Sequence, residues 1–345
     1  MNITFFIGNG FDLNLGLRTT YLDFLETYIK SISLDSKISG FKEKIIKDLP
    51  LWANAEKAFG EYTIKFTDAD DFLDCHMHFC QKLGEYLEEQ ESRISIEMQE
   101  ETLPQLFADS LSTINFSTTA LDSRKNSYAV LNFVVFNYTR IIDKCIYYLQ
   151  TEHEDYGEEG LDITIDGSSY RGFFGKIYHI HGYTDKKMVL GVNDESQISN
   201  PDLFLGKDDE YMCQIIKQKT NQIIHAEQID QKCRDLLDES DLVYIYGMSL
   251  GETDILWWER IYRWLKKDIN HQLVIHKFDA PEEEFIPTRF RIFEREILEE
   301  FVGYSNVKLT PDTRKQIRVT KNNFFLPMKD LINIQLESTS ETILV

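Results

Sequence analysis

The amino-acid sequence predicts an α/β protein: a doubly wound, mostly parallel, Rossmann-like sheet with a helical insertion. Short apolar runs rich in β-branched and aromatic residues alternate along the chain with patterns of helical spacing. Such alternation is typical of parallel sheets, whose right-handed crossovers place helices on both faces. A glycine-rich turn follows the first apolar run, and polar clusters follow several of the later ones.

The first apolar run, residues 3–7, ends abruptly at Gly8-Asn9-Gly10. A strand that leads through a glycine-rich turn into a helix is the usual phosphate cradle of nucleotide-binding folds, in which backbone N–H groups face the anion. Leu13 occupies the place of the third glycine, so the full G-x-G-x-x-G spacing is missing. A tight turn that binds no ligand explains this stretch equally well.

Residues 21–125 contain helical patterns and no convincing strand, so we predict an all-helical insertion there. Asp68 offers an N-cap to the longest amphipathic helix of this region. The predicted division is therefore a Rossmann-like nucleotide-binding core, residues 1–20 plus 126–345, and the insertion.

Strand character returns after residue 127. The later apolar runs are predicted strands at 128–136, 176–180, 188–192, 241–246 and 271–278, with a short one near Val307. Helices are predicted at 140–150, 209–239, 252–267 and 281–302, an exposed acidic loop at 152–159 and a frayed tail after Leu336.

The composition limits the classes of function. The chain has 345 residues and a formal net charge of -21, which disfavours generic nucleic-acid binding because an acidic surface repels phosphate backbones. Its five cysteines form no C-x-x-C pair, and no secretory signal or membrane-spanning stretch is present. We therefore expect a soluble, cytoplasmic protein with reduced thiols and no membrane partner.

Polar side chains follow four of the predicted strands at the point where each strand ends. The carboxyl ends of parallel strands share one edge of a sheet, and ligands bind in the crevice outside that edge. We therefore expect these clusters to meet around one small molecule. The clusters are Gly8-Asn9-Gly10-Phe11-Asp12, Asn137-Tyr138-Thr139, His181-Gly182 and the segment from Gly247-Met248-Ser249 to Asp254.

The same segments resemble a known family. GNGFDLNLGLRTTYLDF, FNYT, HIHG and YGMSLGETD are together similar to the AbiH family of bacteriophage abortive infection proteins, from the first residues to about residue 260. More distantly, their order is similar to the sirtuin (SIR2-like) superfamily of NAD-consuming enzymes. That second pattern places its glycine turn on Gly8-Asn9-Gly10-Phe11 with Gly16-Leu17, its Asn on Asn137, its His-Gly on His181-Gly182, and its Gly-x-Ser on Gly247-Met248-Ser249.

The SIR2-like resemblance implies an NAD(P)+ glycohydrolase that cleaves the nicotinamide–ribose bond and so depletes the nucleotide in an infected cell. The chain departs from the pattern at Thr139, where an Asp is usual, and at Asp12, where many relatives have Ser. It also lacks the paired C-x-x-C motifs of the zinc ribbon found in protein deacylases, which counts against a deacylase.

This chemistry gives each residue an expected role. Asn137 would orient water or a ribose hydroxyl, because an amide both donates and accepts. His181 would be the general base, and Asp12 would stabilise developing positive charge or fix a ribose hydroxyl. Gly8, Asn9 and Gly10 would supply backbone N–H groups to the phosphates, and Ser249 and Asp254 would hold the adenosine ribose or its phosphate. Phe11 and Gly247 complete the expected nucleotide-binding residues. NAD(P)+ is the expected substrate or ligand, and no metal is expected.

Structural explanations and other functions remain open. Asn137 is also a good N-cap, and His181 and Ser249 also suit turns. In the sequence from Cys75 to Cys80, a helix would place only one His on the face of the second Cys, so we predict no metal site there.

Two alternative functions are a non-catalytic NAD or ADP-ribose sensor of the same fold, suggested by Thr139, and a metal-dependent nuclease or phosphoesterase that uses Asp12, His181 and Asp254. A toxic hydrolase must be restrained until infection. By analogy we expect an inhibited homo-oligomer or a lid formed by the insertion, released by a phage trigger or a second defence subunit.

Overall fold

The computed structural model describes residues 1–96, 128–151, 160–165, 168–184, 188–224, 228–279, 287–303, 309–321 and 332–334. Several predicted features lie outside these described residues: the end of the insertion from residue 97, the acidic loop at 152–159, the strand near Val307 and the tail after Leu336.

A seven-stranded sheet forms the core. Its strands are β1 (Asn2–Ile7), β3 (Tyr128–Val135), β4 (Leu161–Ile165), β5 (Ser168–His179), β6 (Leu242–Tyr246), β7 (Gln272–His276) and β8 (Ile317–Thr320). Their spatial order is β4-β5-β3-β1-β6-β7-β8. All neighbours from β5 to β8 are parallel, and β4 is an antiparallel edge strand on β5. A separate antiparallel pair joins β2 (Ile94–Ile96) and β9 (Ile332–Ile334).

The sheet is doubly wound about β1. The chain adds β3 and β5 on one side of β1, then β6, β7 and β8 on the other. This is the strand order of dinucleotide-binding folds, which open a crevice where the order reverses, here between β1 and β6. The predicted α/β, Rossmann-like fold is confirmed.

The helices, with short 3-10 turns omitted, are α1 (Gly10–Asn14), α2 (Tyr21–Tyr28), α3 (Ser36–Lys47), α4 (Leu49–Trp52), α5 (Ala55–Tyr62), α6 (Ala69–Ser92), α7 (Ile141–Thr151), α8 (Asp209–Cys213), α9 (Lys217–Ile224), α10 (Ile229–Asp238), α11 (Ile255–Lys267), α12 (Pro287–Gly303) and α13 (Pro311–Lys315). Among the described residues, no helix has the length and apolar character needed to cross a membrane.

Both faces of the central strands β1, β3, β6 and β7 are buried, which explains why these strands are mostly apolar. Successive residues of β1 point to opposite faces: Phe5 and Ile7 join one hydrophobic cluster, and Phe6 joins the other. Helix α11 covers the second face with the fully buried Trp258 and Trp264. The central strands are thereby held rigidly, and so are the loops at their carboxyl ends.

Helices α2 to α6 form a third hydrophobic cluster that lies against the loops following the sheet. Its centre is Trp52, whose ring packs edge-to-face against Phe41, Phe59 and Tyr62. The N-cap predicted at Asp68 is confirmed, since its carboxylate accepts from the first backbone N–H groups of α6. Tyr138 and six buried apolar residues between positions 190 and 216 belong to the same cluster, so the helices pack directly above the carboxyl edge of the sheet.

Three parts of the sequence prediction were wrong. Residues 188–192 form no strand, only an isolated bridge between Val192 and Ile216. The helix predicted over 209–239 is divided into α8, α9 and α10, because the backbone on either side of Ile216 pairs with Val192 instead of continuing the first helix. Four strands were missed. They are the short pair β2 and β9, of which β2 lies within the insertion that was predicted to be all-helical, and the edge strands β4 and β8; β8 is only four residues long and carries two polar residues.

Candidate functional site

A cavity of about 530 Å³ opens at the carboxyl ends of the central strands, within the size range of small-molecule sites. Helices α2, α5 and α6 form its opposite wall. The structure brings together nine of the ten residues expected from sequence, because all the strand ends share this edge. They are Gly8, Asn9, Gly10, Asp12, Asn137, His181, Gly247, Ser249 and Asp254.

Phe11 is the exception. Its ring is fully buried and packs edge-to-face against Tyr246 at 6.5 Å, as part of the core beneath the cavity. Phe11 therefore anchors helix α1 to the sheet and does not line the cavity as a nucleotide-binding residue.

The glycine turn joins two loops. The N–H groups of Gly8 and Gly10 donate to the carbonyl oxygens of Tyr246 and Gly247 at 2.9 and 2.7 Å. They are therefore engaged and do not form the expected phosphate cradle. A Cβ atom at Gly10 would lie 2.5 Å from Gly247 Cα, and Gly247 itself has φ +65°, so both positions require glycine. The glycines allow the β1 and β6 loops to touch and shape the floor of the cavity.

Asn9 and Ser249 have smaller roles. The Asn9 amide donates to the Thr19 carbonyl and accepts from the Thr19 hydroxyl, at 3.0 and 2.8 Å. It thereby ties the glycine turn to the segment that precedes α2. Ser249 lies exposed at the rim of the cavity.

Asp12 is the centre of a buried cluster of neutral donors. Its carboxyl is 1% exposed and accepts from Asn137 Nδ2 at 2.9 Å and from the Thr139 hydroxyl at 2.7 Å. Burial raises the pKa of Asp12 to about 7, although both hydrogen bonds oppose the rise. Asp12 is therefore poised to change protonation near neutral pH.

The two positions that depart from the SIR2-like pattern, Asp12 and Thr139, thus contact each other. Asn137 is held beside them from a second direction, since His179 Nδ1 lies 3.0 Å from the Asn137 carbonyl oxygen and must donate to it. The remaining amide oxygen of Asn137, Oδ1, is buried and has no protein hydrogen-bond partner.

His181 lies beside Asp254. Its Nε2 is 3.6 Å from Asp254 Oδ1, an electrostatic contact longer than a hydrogen bond. Its Nδ1 is buried with no protein partner, and the ring packs edge-to-face on Phe136 at 5.4 Å. Gly182, at φ +71°, makes the turn that follows, and the His181 carbonyl accepts from the Val189 N–H at 2.8 Å.

Asp254 is held as a carboxylate. Burial acts to raise its pKa, but the attraction of Lys217 and His181 outweighs burial and lowers the pKa below its ordinary value. Asp254 is the N-terminal flanking residue of α11, yet its side chain makes no capping hydrogen bond there. Its carboxylate faces Lys217 Nζ at 3.3 Å instead, and Lys217 also pairs with Glu56 at 2.9 Å.

Sequence reasoning missed Glu56, Lys217 and His276. His276 ends β7 and lines the cavity, with a buried Nδ1 that has no protein partner. Its Nε2 lies 3.3 Å from the Lys321 carbonyl, and burial lowers its pKa to about 4, so the ring is neutral. The strand-end rule did not select His276, because the predicted strand at 271–278 extended past the observed end of β7 at His276.

Among the described residues, no three His, Cys, Asp or Glu side chains are grouped as a metal site. His76 Nε2 lies 2.9 Å from the Leu190 carbonyl oxygen, to which it donates, and burial lowers the pKa of His76 to about 4. Cys80 lies 3.7 Å from the same nitrogen. These two side chains are therefore parts of the helical packing.

Comparison with known proteins identifies one family. Residues 4–276, well over half of the chain, match the family model described as "Bacteriophage abortive infection AbiH". No individually curated protein matches the chain.

Proposed function

Because the chain belongs to the AbiH family of bacteriophage abortive infection proteins, we propose that it acts by hydrolysing NAD(P)+ at the nicotinamide–ribose bond in the sheet-edge cavity. Family membership gives the chain a role in abortive-infection defence. The substrate and the reaction are our proposal, and the cavity supports them as follows.

Three buried polar atoms, each in a residue that lines the cavity, carry the proposal: Asn137 Oδ1, His181 Nδ1 and His276 Nδ1. Their residues are 5%, 5% and 2% exposed, and none of these atoms has a protein hydrogen-bond partner. Leaving such a group unsatisfied costs about 1–3 kcal/mol, so it calls for a ligand that carries several donors. A nucleotide offers ribose hydroxyls, a carboxamide and an exocyclic amine.

The spacing of these atoms favours an elongated ligand. His276 ends β7, while His181 follows β5, and four inter-strand steps separate those strands. At about 4.8 Å per step the strand ends lie about 19 Å apart. A dinucleotide extends over such a distance, and it would cross the point where the strand order reverses.

The proposed reaction forms a bond from a water oxygen to ribose C1′ and breaks the bond from C1′ to the nicotinamide nitrogen. The electron pair of the broken bond leaves with nicotinamide, and the water proton passes to His181. The Asp254 carboxylate beside Nε2 favours the tautomer with its proton there, which leaves the Nδ1 lone pair as the base.

Asp12 and Asn137 would act on the ribose. When ionised, Asp12 offers a negative charge in a site away from water, which favours the oxocarbenium-like transition state. Its hydrogen bond to Nδ2 of Asn137 fixes that amide with Oδ1 directed away from Asp12. Oδ1 is then available to accept from a ribose hydroxyl or from the attacking water.

The proposal places the activity in the cytoplasm, with a phage trigger, a second defence subunit or a homo-oligomeric state controlling it. The acidic chain, at net charge -21, favours a small nucleotide over a polynucleotide substrate.

The test is to incubate the purified protein with NAD+ or NADP+ and to quantify nicotinamide and ADP-ribose products. We expect the wild type to release them in equal amounts, and Asn137→Ala and His181→Ala to lose turnover while staying folded. The matched control is His78→Ala, because His78 lies on α6, contacts Tyr28 and does not line the cavity. It should keep full activity.

Two results would replace the proposal. If nucleotide binds but no activation state gives turnover, the protein is a nucleotide sensor. EDTA-sensitive cleavage of nucleic acid that is unaffected by Asn137→Ala would identify a metal-dependent nuclease or phosphoesterase.

A further inference from the structure

Two side chains of helix α9 bind the segments that carry His181 and Asp254. Lys217 and Asn221 lie one helical turn apart on α9, both buried, and therefore share a face. We propose that Lys217 and Asn221 are positioning residues for the His181–Asp254 contact, and that Glu56 couples them to the helices above the cavity. The expected effect on turnover rests on the proposed function, whereas the expected effect on the position and titration of Asp254 does not.

Lys217 holds the Asp254 side. Its ammonium is 4% exposed and donates to the Thr253 carbonyl at 2.8 Å, to Asp254 Oδ1 at 3.3 Å and to Glu56 Oε2 at 2.9 Å. Three acceptors match the three donors of an ammonium group, so this buried charge is fully satisfied. Lys217 thereby fixes both the backbone and the carboxylate at the start of α11.

Asn221 holds the His181 side. Its Nδ2 donates to the carbonyl oxygen of Ile180 at 2.9 Å, immediately before His181 in the chain. The Ile180 N–H still pairs with the Val135 carbonyl of β3 at 3.0 Å, so the bond from Asn221 fixes the other side of this last paired peptide and with it the direction in which the His181 ring leaves the strand. One helix face therefore determines the relative position of imidazole and carboxylate.

The helix is itself fixed at its first residue. The Lys217 N–H donates to the Val192 carbonyl at 2.8 Å, and the Val192 N–H donates to the Ile215 carbonyl at 2.8 Å. Gly191 permits this close approach, since a Cβ atom there would lie 2.1 Å from the Ile215 oxygen. The segment that follows His181 thus returns to brace the N-terminus of α9.

Glu56 extends the arrangement into the helices above the cavity. It lies on α5 and pairs through Oε2 with Lys217, while Oε1 accepts from the hydroxyls of Tyr21 and Tyr138, each at 3.4 Å. A displacement of α5 would remove one of the two carboxylates that balance Lys217. The position of helix α5 above the cavity is therefore coupled to the His181–Asp254 contact.

The experiment compares Lys217→Met, Lys217→Arg and Glu56→Gln with the control Lys219→Met. Lys219 lies on the same helix, but its side chain is 42% exposed and pairs with Glu195. The first measurement is independent of activity: the pH titration of the Asp254 carboxyl carbon by NMR. In the wild type and in Lys219→Met we expect Asp254 to stay ionised to well below pH 4, because Lys217 lowers its pKa.

Lys217→Met should move this titration to higher pH, while Lys217→Arg keeps it low. Nicotinamide release should fall about 100-fold in kcat for Lys217→Met with little change in KM, because a misplaced base affects the chemical step more than binding. Lys217→Arg should restore most of the loss, which a merely structural role would not predict. An unchanged Asp254 titration in Lys217→Met would overturn the inference.

Lys217→Met leaves two buried carboxylates unbalanced and can unfold the chain. Glu56→Gln is therefore the second variant: it retains the pair of Lys217 with Asp254 and the shape of the side chain. It should lower kcat less than Lys217→Met and leave the Asp254 titration low, and equal kcat in Glu56→Gln and wild type would contradict the coupling to α5. A wild type with no turnover but with the expected Asp254 titration would refute the proposed function alone.

Discussion

Asp12 and Asp254 are both buried carboxyls that line the same cavity, yet their environments move their pKa values in opposite directions. Asp12 is surrounded by neutral donors, the amide of Asn137 and the hydroxyl of Thr139, and burial raises its pKa to about 7. The Asp254 side chain is 15% exposed; burial acts to raise its pKa as well, but Lys217 and His181 outweigh burial, and the pKa falls.

The difference shows that hydrogen bonds from neutral donors and the charge of a nearby cation compensate unequally for the cost of burying a carboxylate. Two neutral donors stabilise the Asp12 carboxylate without offsetting its desolvation, whereas the buried ammonium of Lys217, together with His181, more than offsets the desolvation of Asp254. Carboxyls whose pKa values are pushed apart within one site are a recurrent feature of acid–base catalysis. Asp12 can therefore change its charge near neutral pH, and Asp254 keeps a constant charge beside His181.

The largest expected effect comes from Asp12→Asn. The pKa of Asp12 rises from an ordinary 3.8 to about 7 on folding, so the wild type loses stability as pH rises from about 4 to 7. At 1.36 kcal/mol per pKa unit this amounts to about 4 kcal/mol. We expect Asp12→Asn to be more stable than the wild type by up to about 4 kcal/mol at pH 8, with the gain vanishing near pH 4, as measured by urea unfolding.

The same variant should lose turnover, because the amide cannot supply the negative charge. If Asp12→Asn is no more stable than the wild type at pH 8, ionisation of Asp12 costs no folding free energy. The contrast drawn between the pKa values of Asp12 and Asp254 would then be wrong.

A smaller effect of opposite sign is expected for Asp254→Asn. Its pKa is lowered on folding, so the carboxylate contributes stability that is present above about pH 4 and is lost as pH falls through the folded pKa. Loss of this carboxylate also leaves Lys217 with Glu56 as its only carboxylate partner among its hydrogen-bonded contacts. We expect a loss of about 2 kcal/mol at pH 7 in urea unfolding. Stabilisation at neutral pH would contradict the account of Asp254.

The smallest effect is expected for Thr139→Val, which removes one of the two donors to Asp12 and keeps the shape of the side chain. Loss of a hydrogen bond to the charged form should raise the pKa of Asp12 further, by about one unit. The acidic limb of the pH–rate profile for nicotinamide release should move upward by the same amount, and NMR of the Asp12 carboxyl gives the same quantity without turnover. An unchanged titration would show that the Thr139 bond does not act on Asp12.

Much of the sheet and of its site could be predicted from sequence because the relevant signals are local. Apolar runs flanked by polar clusters fix where strands end, and the shared edge of a parallel sheet then brings Asn137, His181 and Asp254 together. Phe11 is not brought to the cavity in this way, because one turn of helix directs its side chain into the core and not toward the crevice.

The parts that could not be predicted depend on contacts between distant segments. Glu56 and Lys217 are 161 positions apart, and each taken alone is an ordinary charge on a helix. Their pairing depends on how helices α2 to α6 pack on the loops after β5. The hydrophobic periodicity of the sequence carries no information about that packing. The hydrogen bonds of the glycine turn likewise depend on the β6 loop, so sequence alone could not show that the N–H groups of Gly8 and Gly10 are already engaged.

The most direct test of the whole account is a crystal structure of His181→Ala soaked with NAD+, a variant in which the proposed base is absent and the cavity wall otherwise remains. We predict an intact dinucleotide in the sheet-edge cavity, with a ribose beside Asn137 and the other end of the molecule toward His276. NAD+ bound elsewhere on the protein, with the cavity closed to it, would contradict the account.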